Sequence, residues 1–80
     1  MKEIIEYLVK NIVKYPQDVV IEQVKLEGNT NREKYTIKTN QEDLGVVIGK
    51  GGKTIRSIIN ICKIKAIKEN KFIEVEVLKI

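Results

Sequence analysis

The sequence predicts an α+β fold of two layers, in which helices pack on a three-stranded mixed sheet. Apolar residues recur at helical spacing near the N-terminus and again after a glycine cluster, and elsewhere they alternate with polar residues as in strands. The resulting order is helix, two strands, short helix, glycine loop, helix and strand. Because the last two strands flank a helical crossover, we expect them to be parallel neighbours.

Four elements are predicted in the first half of the chain. They are a helix over residues 2–14, a strand over 19–27, a turn over 28–31 and a strand over 34–39. Pro16 cannot continue the first helix and therefore bounds it. The two strands form an antiparallel hairpin, with Tyr35 and Ile37 on one face of the second strand.

The second half begins with Asn40, a favourable N-cap residue. The elements predicted after it are a short helix to about residue 48, a glycine loop, a helix over 53–67 and a strand over 72–78. Tyr35 and Phe72 are expected in the core of the sheet. With 80 residues, the chain is expected to form one domain over residues 1–80.

The charge of +4 is concentrated in the second half of the chain. Between Leu44 and Lys68 there are six basic residues and no acidic residue. This distribution favours a polyanion as partner.

Cys62 lies in an apolar helical stretch and is expected to be a core residue. The chain shows no signal peptide and no apolar run of membrane length, so we expect a cytoplasmic protein without a membrane span.

Three glycines fall within four residues between the two helices of the second half, at Gly49, Gly51 and Gly52. Glycine lets the backbone turn sharply and lets a ligand reach the main chain, because no Cβ stands in the way. The next helix offers unpaired amides and the positive end of its dipole at Lys53, and Lys50 adds a full charge. This is the chemistry of a phosphate-binding loop.

Glycine spacing excludes two nucleotide-binding motifs. A Walker-type loop, G-x-x-x-x-G-K-[ST], would place its first glycine at Val47, and the dinucleotide motif G-x-G-x-x-G would place its third at Thr54. The chain contains no histidine, which excludes histidine catalysis and histidine metal ligation. We therefore expect a binding protein that is not an enzyme and that uses no cofactor and no metal.

Residues 47–55, VIGKGGKTI, match the KH-domain signature V-I-G-x-x-G-x-x-I at every specified position. The chain therefore resembles a KH domain. The helix and strand ahead of this core resemble the bacterial type II arrangement, α-β-β-α-α-β, and the resemblance covers essentially the whole chain. In its length and its leading helix, the chain is similar to the small stand-alone bacterial KH proteins of the KhpA (YlqC) family.

This resemblance implies that the glycine loop clamps the sugar-phosphate backbone of about four nucleotides of single-stranded RNA. The residues carried over are Gly49, Lys50, Gly51 and Gly52 in the clamp, Gly45, Val46 and Ile48 on the first helix, and Lys53 and Ile55 on the second. Ile48 and Ile55 have a competing interpretation as core residues, and Gly45 as a packing glycine. No aromatic residue is near the loop, so base stacking is not expected and sequence specificity should be low.

The helix over residues 53–67 predicts a second surface. Ile61 and Ile64 fall opposite its core face, near Ser57 and Asn60. An exposed apolar pair often marks an interface, so we expect a homodimer through this helix. The alternative is that these isoleucines are scattered surface residues in an isoleucine-rich chain.

The resemblance also implies partners and a role. Members of the family are thought to self-associate and to pair with a larger KH protein, KhpB (Jag or EloR). It implies an RNA chaperone or a post-transcriptional regulator with links to cell shape. The alternative function is a protein-interaction subunit that binds little RNA and works through Ile61 and Ile64.

Overall fold

A computed structural model describes residues 1–24, 28 and 31–78. Its elements, in chain order, are α1 (Lys2–Lys10), β1 (Val20–Val24), β2 (Arg32–Lys38), α2 (Leu44–Ile48), α3 (Lys53–Lys68) and β3 (Phe72–Val77), with 3-10 turns at Pro16–Asp18, Gln41–Asp43 and Lys50–Gly52. The helices pack on a three-stranded mixed sheet, which confirms the predicted α+β fold of two layers. The end of the predicted first strand (25–27) and two residues of the predicted turn (29 and 30) lie outside the described residues.

The sheet has the strand order β1-β2-β3. β1 and β2 are antiparallel, with Val20 opposite Lys38 and Val24 opposite Lys34. β2 and β3 are parallel, with Arg32 opposite Phe72. The predicted hairpin and the predicted parallel pair are both confirmed. Because β3 is an edge strand, one of its sides is free to border a groove.

The core lies between α1, α3 and one face of the sheet. Its largest fully buried side chains are Tyr35, Ile5, Ile37, Val9, Val47 and Cys62. Burial, together with the nearby Glu33 carboxylate, raises the pKa of Tyr35 to about 12. Burial also raises the pKa of the Cys62 thiol, as suits a core residue and not a nucleophile.

The expectation that Phe72 lies in the sheet core is wrong. Its side chain is 67% exposed, whereas its neighbour Ile73 is buried. Side chains of a strand alternate between its two faces, and the inward positions of β3 belong to Ile73, Val75 and Val77. Phe72 therefore points away from the core at the start of the edge strand.

The first helix is shorter than predicted, because it ends at Lys10 and not at residue 14. The chain leaves the helix and brings two consecutive amides to one buried carboxylate. Lys14 N donates to Asp43 Oδ1 and Tyr15 N donates to Asp43 Oδ2, each at 2.9 Å. This tertiary contact joins the exit of α1 to the turn that leads into α2.

Asp43→Asn is expected to destabilise the protein by about 1–2 kcal/mol, because an amide side chain has one acceptor oxygen where two amides need one each. Asp18→Asn is the matched control, since Asp18 is exposed and accepts a hydrogen bond from Asn40 Nδ2 at 3.0 Å. Unfolding in urea measures the free energy of unfolding of both variants. Equal stabilities of the two would contradict the structural role of Asp43.

Candidate nucleic-acid interface

The glycine loop is held in shape by its own main chain. Gly49 N donates to Gly45 O at 2.8 Å and ends α2, and Gly52 N donates to Gly49 O at 3.1 Å. Gly49, Gly51 and Gly52 all have positive φ, at 78°, 64° and 76°. Three positive-φ residues in four positions reverse the chain between α2 and α3, which explains the glycine cluster.

The three glycines are required for different reasons. Gly49 has φ 78° and ψ 168°, a region that is essentially restricted to glycine, and a Cβ there would lie 2.7 Å from the Thr54 backbone nitrogen. At Gly51 and Gly52 no atom of the described residues lies within 4 Å of the Cβ position. Gly49 is thus needed by the fold, whereas the space beside Gly51 and Gly52 is open to a ligand.

Arg56, one turn into α3, stabilises the loop through two hydrogen bonds to its carbonyl oxygens. Its Nη2 donates to Gly51 O at 3.0 Å and its Nε to Gly52 O at 3.3 Å. The two carbonyl oxygens, which would repel a phosphate, are thereby paired with a cation. Sequence reasoning missed this role. The available signal was a basic residue four positions after the last glycine, on the first turns of the helix.

The two lysines of the loop region are exposed, and neither has an ion-pair partner among the described residues. Lys50 and Lys53 differ in this from Lys10, Lys34 and Lys38, which are each within 3.2 Å of a glutamate oxygen. The loop also precedes the N-terminus of α3, a helix of 16 residues with a positive dipole end. The electrostatics of the loop therefore favour an anion.

A groove of about 590 Å³ runs beside the loop, between α2, α3 and the edge strand β3. Ile48, Ile55 and Ile59 line its helical side, and residues 75–78 line the strand side. Ile48 and Ile55 are half-buried, and Ile55 also packs against the core. The structure supports the core interpretation for Ile55, which packs against the core, and both isoleucines line the groove.

Gly45 and Val46 lie on the exposed face of α2. A Cβ at Gly45 would meet no atom of the described residues within 4 Å, so the interpretation of Gly45 as a packing glycine is wrong. The nine residues expected to bind RNA are thus brought together on α2, the loop and the start of α3.

The second expected surface is also present on α3. Ile61 and Ile64 are 48% and 60% exposed, and Ser57 and Asn60 are exposed beside them. None of the four lines the groove. The structure therefore carries two separate surfaces, one at the loop and one on the outer side of α3.

Residues 1–24, 28 and 31–78 offer neither a metal site nor a membrane-spanning helix. No group of three or more histidine, cysteine or acidic side chains in that part of the chain could hold a metal ion. None of its helices is long and apolar enough to cross a membrane.

The family model for the KH domain of KhpA and KhpB matches residues 2–77. The chain belongs to this family. This KhpA/KhpB family is a class of RNA-binding, non-catalytic KH proteins, which agrees with the expectation that the chain is not an enzyme.

Similar proteins agree with this assignment. RNA-binding protein KhpA from Clostridium perfringens is 40% identical over 78 residues, which cover 98% of this chain and 100% of that protein. RNA-binding protein KhpA from Thermotoga maritima is 45% identical over 58 residues, covering 72% of this chain and 73% of that one.

A solved structure shares the fold. Era from Aquifex aeolicus, in a crystal structure with GDP and AlF4⁻, superposes with a TM-score of 0.68 at 14% identity. The match covers 96% of this KhpA/KhpB-family chain and 30% of the Era chain. At this level of identity the likeness concerns the fold alone.

Proposed function

We propose that the chain, as one KH domain, binds single-stranded RNA by clamping its backbone on the loop Gly49-Lys50-Gly51-Gly52. One observation carries the proposal: an exposed, glycine-defined loop with two uncommitted lysines borders an apolar groove. The relatives named RNA-binding protein KhpA support RNA as the polyanion.

The loop would act on the sugar-phosphate backbone. Gly51 and Gly52 let a phosphate approach the main chain, Lys50 and Lys53 supply charge, and Arg56 holds the loop carbonyls away from the phosphate. Because Arg56 already fixes these carbonyls in the free protein, the loop is preorganised and little conformational entropy is lost on binding. This arrangement recognises a backbone and carries no sequence information of its own.

The bases would lie in the groove against Ile48, Ile55 and the edge of β3. Gly45 and Val46 form the exposed surface of α2 at its rim. The walls of this groove are aliphatic apart from Glu76, whose carboxylate is 3.2 Å from Lys34 Nζ. Aliphatic walls exclude water from a base but discriminate weakly between bases, so sequence selectivity within this groove should be low.

Such a protein would act in the cytoplasm as an RNA chaperone or a post-transcriptional regulator, without catalysis. It would bind its target RNAs through their sugar-phosphate backbone. Its selectivity among RNAs would come from RNA structure or from a protein partner. A KhpB-type KH protein is the partner that family membership favours.

The binding of a short single-stranded RNA at two salt concentrations tests the clamp. Each phosphate contact releases counterions, so the slope of log K against log salt should be about −0.7 per contact, or about −2 for three contacts. Double-stranded RNA of the same sequence is the control and should bind more weakly. Affinity that is independent of salt would contradict a backbone clamp.

A second function, a subunit that works through protein contacts, is favoured by the exposure of Ile61 and Ile64. We propose that this face of α3, with Ser57 and Asn60 at its border, forms a homodimer or takes a KhpB-type partner in its place. Both assemblies would use the same surface and would therefore compete. RNA binding at the loop would use different residues from either assembly, because none of these four residues lines the groove.

Ile61→Asp is expected to convert the dimer to monomer, because two aspartates would be buried unpaired across the symmetry axis. Light scattering measures the mass in solution. Ile12→Asp, on an apolar residue that is also exposed but lies beyond α1, is the control and should stay dimeric. A wild-type monomer, or an unchanged mass for Ile61→Asp, would contradict the interface.

A further inference from the structure

The cleft between α3 and β3 does not end at the groove. Towards the C-terminal end of α3, a second depression of about 360 Å³ opens between the same helix and strand. Lys63 and Ile67 line it from α3 and Phe72 lines it from β3, with Arg32 and Lys71 at the rim. It lies along the same helix and strand as the groove beside the glycine loop, although the two depressions share no lining residue.

The two depressions follow each other in register. Ile55 and Ile59 share the first with residues 75–78, and Lys63 and Ile67 share the second with residues 72–74. Ile55 and Ile67 are separated by about 18 Å along the axis of α3, at ~1.5 Å per residue. A strand that is clamped at the loop and leaves along this cleft would pass over Phe72.

Phe72 has the properties of a stacking platform. Its ring is 67% exposed, and no aromatic side chain lines the groove nearer the loop. Stacking on an aromatic ring is tolerant of base identity and contributes substantially to single-strand binding. The second depression therefore offers a contact that the first one lacks.

The charge around Phe72 suits a polyanion. Three basic residues, Arg32, Lys63 and Lys71, line the depression against one acidic residue, Glu74. Lys63 has no carboxylate partner among the described residues, while Lys71 Nζ lies 3.7 Å from Glu33 Oε1 and 3.9 Å from Glu69 Oε1. The pair with Glu69 is long and exposed on both sides, so a phosphate can replace it at little cost, whereas Glu33 is the less exposed partner. Basic charge and alignment with the groove favour RNA over an apolar protein segment.

We propose that this second depression binds RNA nucleotides beyond the four held by the clamp, with a base stacked on Phe72 and a phosphate at Lys63. The proposal rests on the proposed clamp and extends it. It makes affinity depend on RNA length. It also gives an edge residue of the sheet a direct part in binding.

A single tryptophan can report on the site directly, because the chain contains none. In Phe72→Trp, an RNA of about eight nucleotides should quench the indole fluorescence, whereas an RNA of about four nucleotides should bind at the loop and leave it unchanged. Tyr7→Trp is the matched control. Tyr7 is 69% exposed on α1 and lines neither depression, so neither RNA should quench its replacement.

Affinities provide the second measurement. Phe72→Ala should weaken binding of the longer RNA about tenfold and leave the shorter RNA unchanged, and Phe72→Tyr should restore the wild-type affinity. An RNA of the same length whose outer nucleotides lack bases should bind wild type and Phe72→Ala equally. Circular dichroism checks the fold, which the loss of this exposed ring should not alter.

Several outcomes would overturn the proposal, and they are distinguishable from failure of the clamp. Wild-type affinity of Phe72→Ala for the longer RNA, or absence of quenching in Phe72→Trp, removes the second site and leaves the clamp intact. A change of mass in Phe72→Ala would assign the surface to a protein contact. If wild type binds neither RNA, the clamp and the second site fail together.

Discussion

Replacing Lys50 and Gly51 together with aspartate is expected to lower the affinity for short single-stranded RNA by at least about 100-fold. The change removes one uncommitted cation and places two carboxylates where a phosphate would approach the main chain, so attraction is replaced by repulsion and desolvation cost. The fold should survive, because aspartate tolerates positive φ better than most residues and the Cβ position at Gly51 is open. Fluorescence anisotropy with a labelled RNA measures the loss.

The control for this experiment must carry the same change of charge. Lys2→Asp with Gln17→Asp introduces two aspartates and removes one lysine at exposed positions outside the α2–α3 pair. It should bind RNA within about threefold of wild type, because dispersed surface charge acts weakly through salt. If the two double variants lost affinity equally, general electrostatics and not the loop would account for binding.

Gly49→Ala is expected to destabilise the protein by about 3 kcal/mol or more. Alanine at φ 78° and ψ 168° is strained, which costs about 1–3 kcal/mol, and its Cβ would also collide with the Thr54 backbone. Relief would require α3 to move away from α2, which would disturb the packing of Val47 and Ile58 in the core. For a domain of this size the midpoint of thermal unfolding should fall by roughly 12–25 °C.

Gly51→Ala provides the comparison within the same loop. Its φ is also positive, at 64°, but a Cβ would meet no described atom, so the cost should be limited to about 1 kcal/mol. Calorimetry of the two variants compares alanine in the left-handed helical region at residue 51 with alanine in the glycine-restricted region beside Thr54 at residue 49. Similar unfolding temperatures would show that Thr54 can move away from an added Cβ at little cost. They would also show that the fold does not require glycine at residue 49.

The sequence was sufficient for the architecture because the relevant signals are local. Alternation in β2 and β3, the cap at Asn40 and the glycine cluster each act over a few residues. Together with the chirality of a helical crossover, they determined the order of elements and the parallel pairing of β2 with β3. The loop was identified in the same way, since its motif is contiguous.

Two expectations about the fold were wrong, and the reasons differ. The path of the chain after α1 depends on Asp43, a carboxylate 29 positions from the Lys14 amide that it accepts from. Periodicity extended the helix to residue 14, past Asn11, which is the C-cap residue of α1 and donates from its side chain to Tyr7 O. Phe72 was assigned to the core from its apolarity, although the alternation of side chains along β3, a local signal, gives the inward face to Ile73.

The amino-acid order by itself thus determined the fold class, the position of the glycine loop with its two lysines and the isoleucine face of α3, because each depends on spacing within one element. Tertiary structure decided what surrounds them. It paired Arg56 with the loop carbonyls, opened a groove between α3 and the edge of β3, and placed an aromatic ring at the far end of that cleft. Which surfaces face each other across a groove depends on how separate elements pack, and no local pattern encodes that.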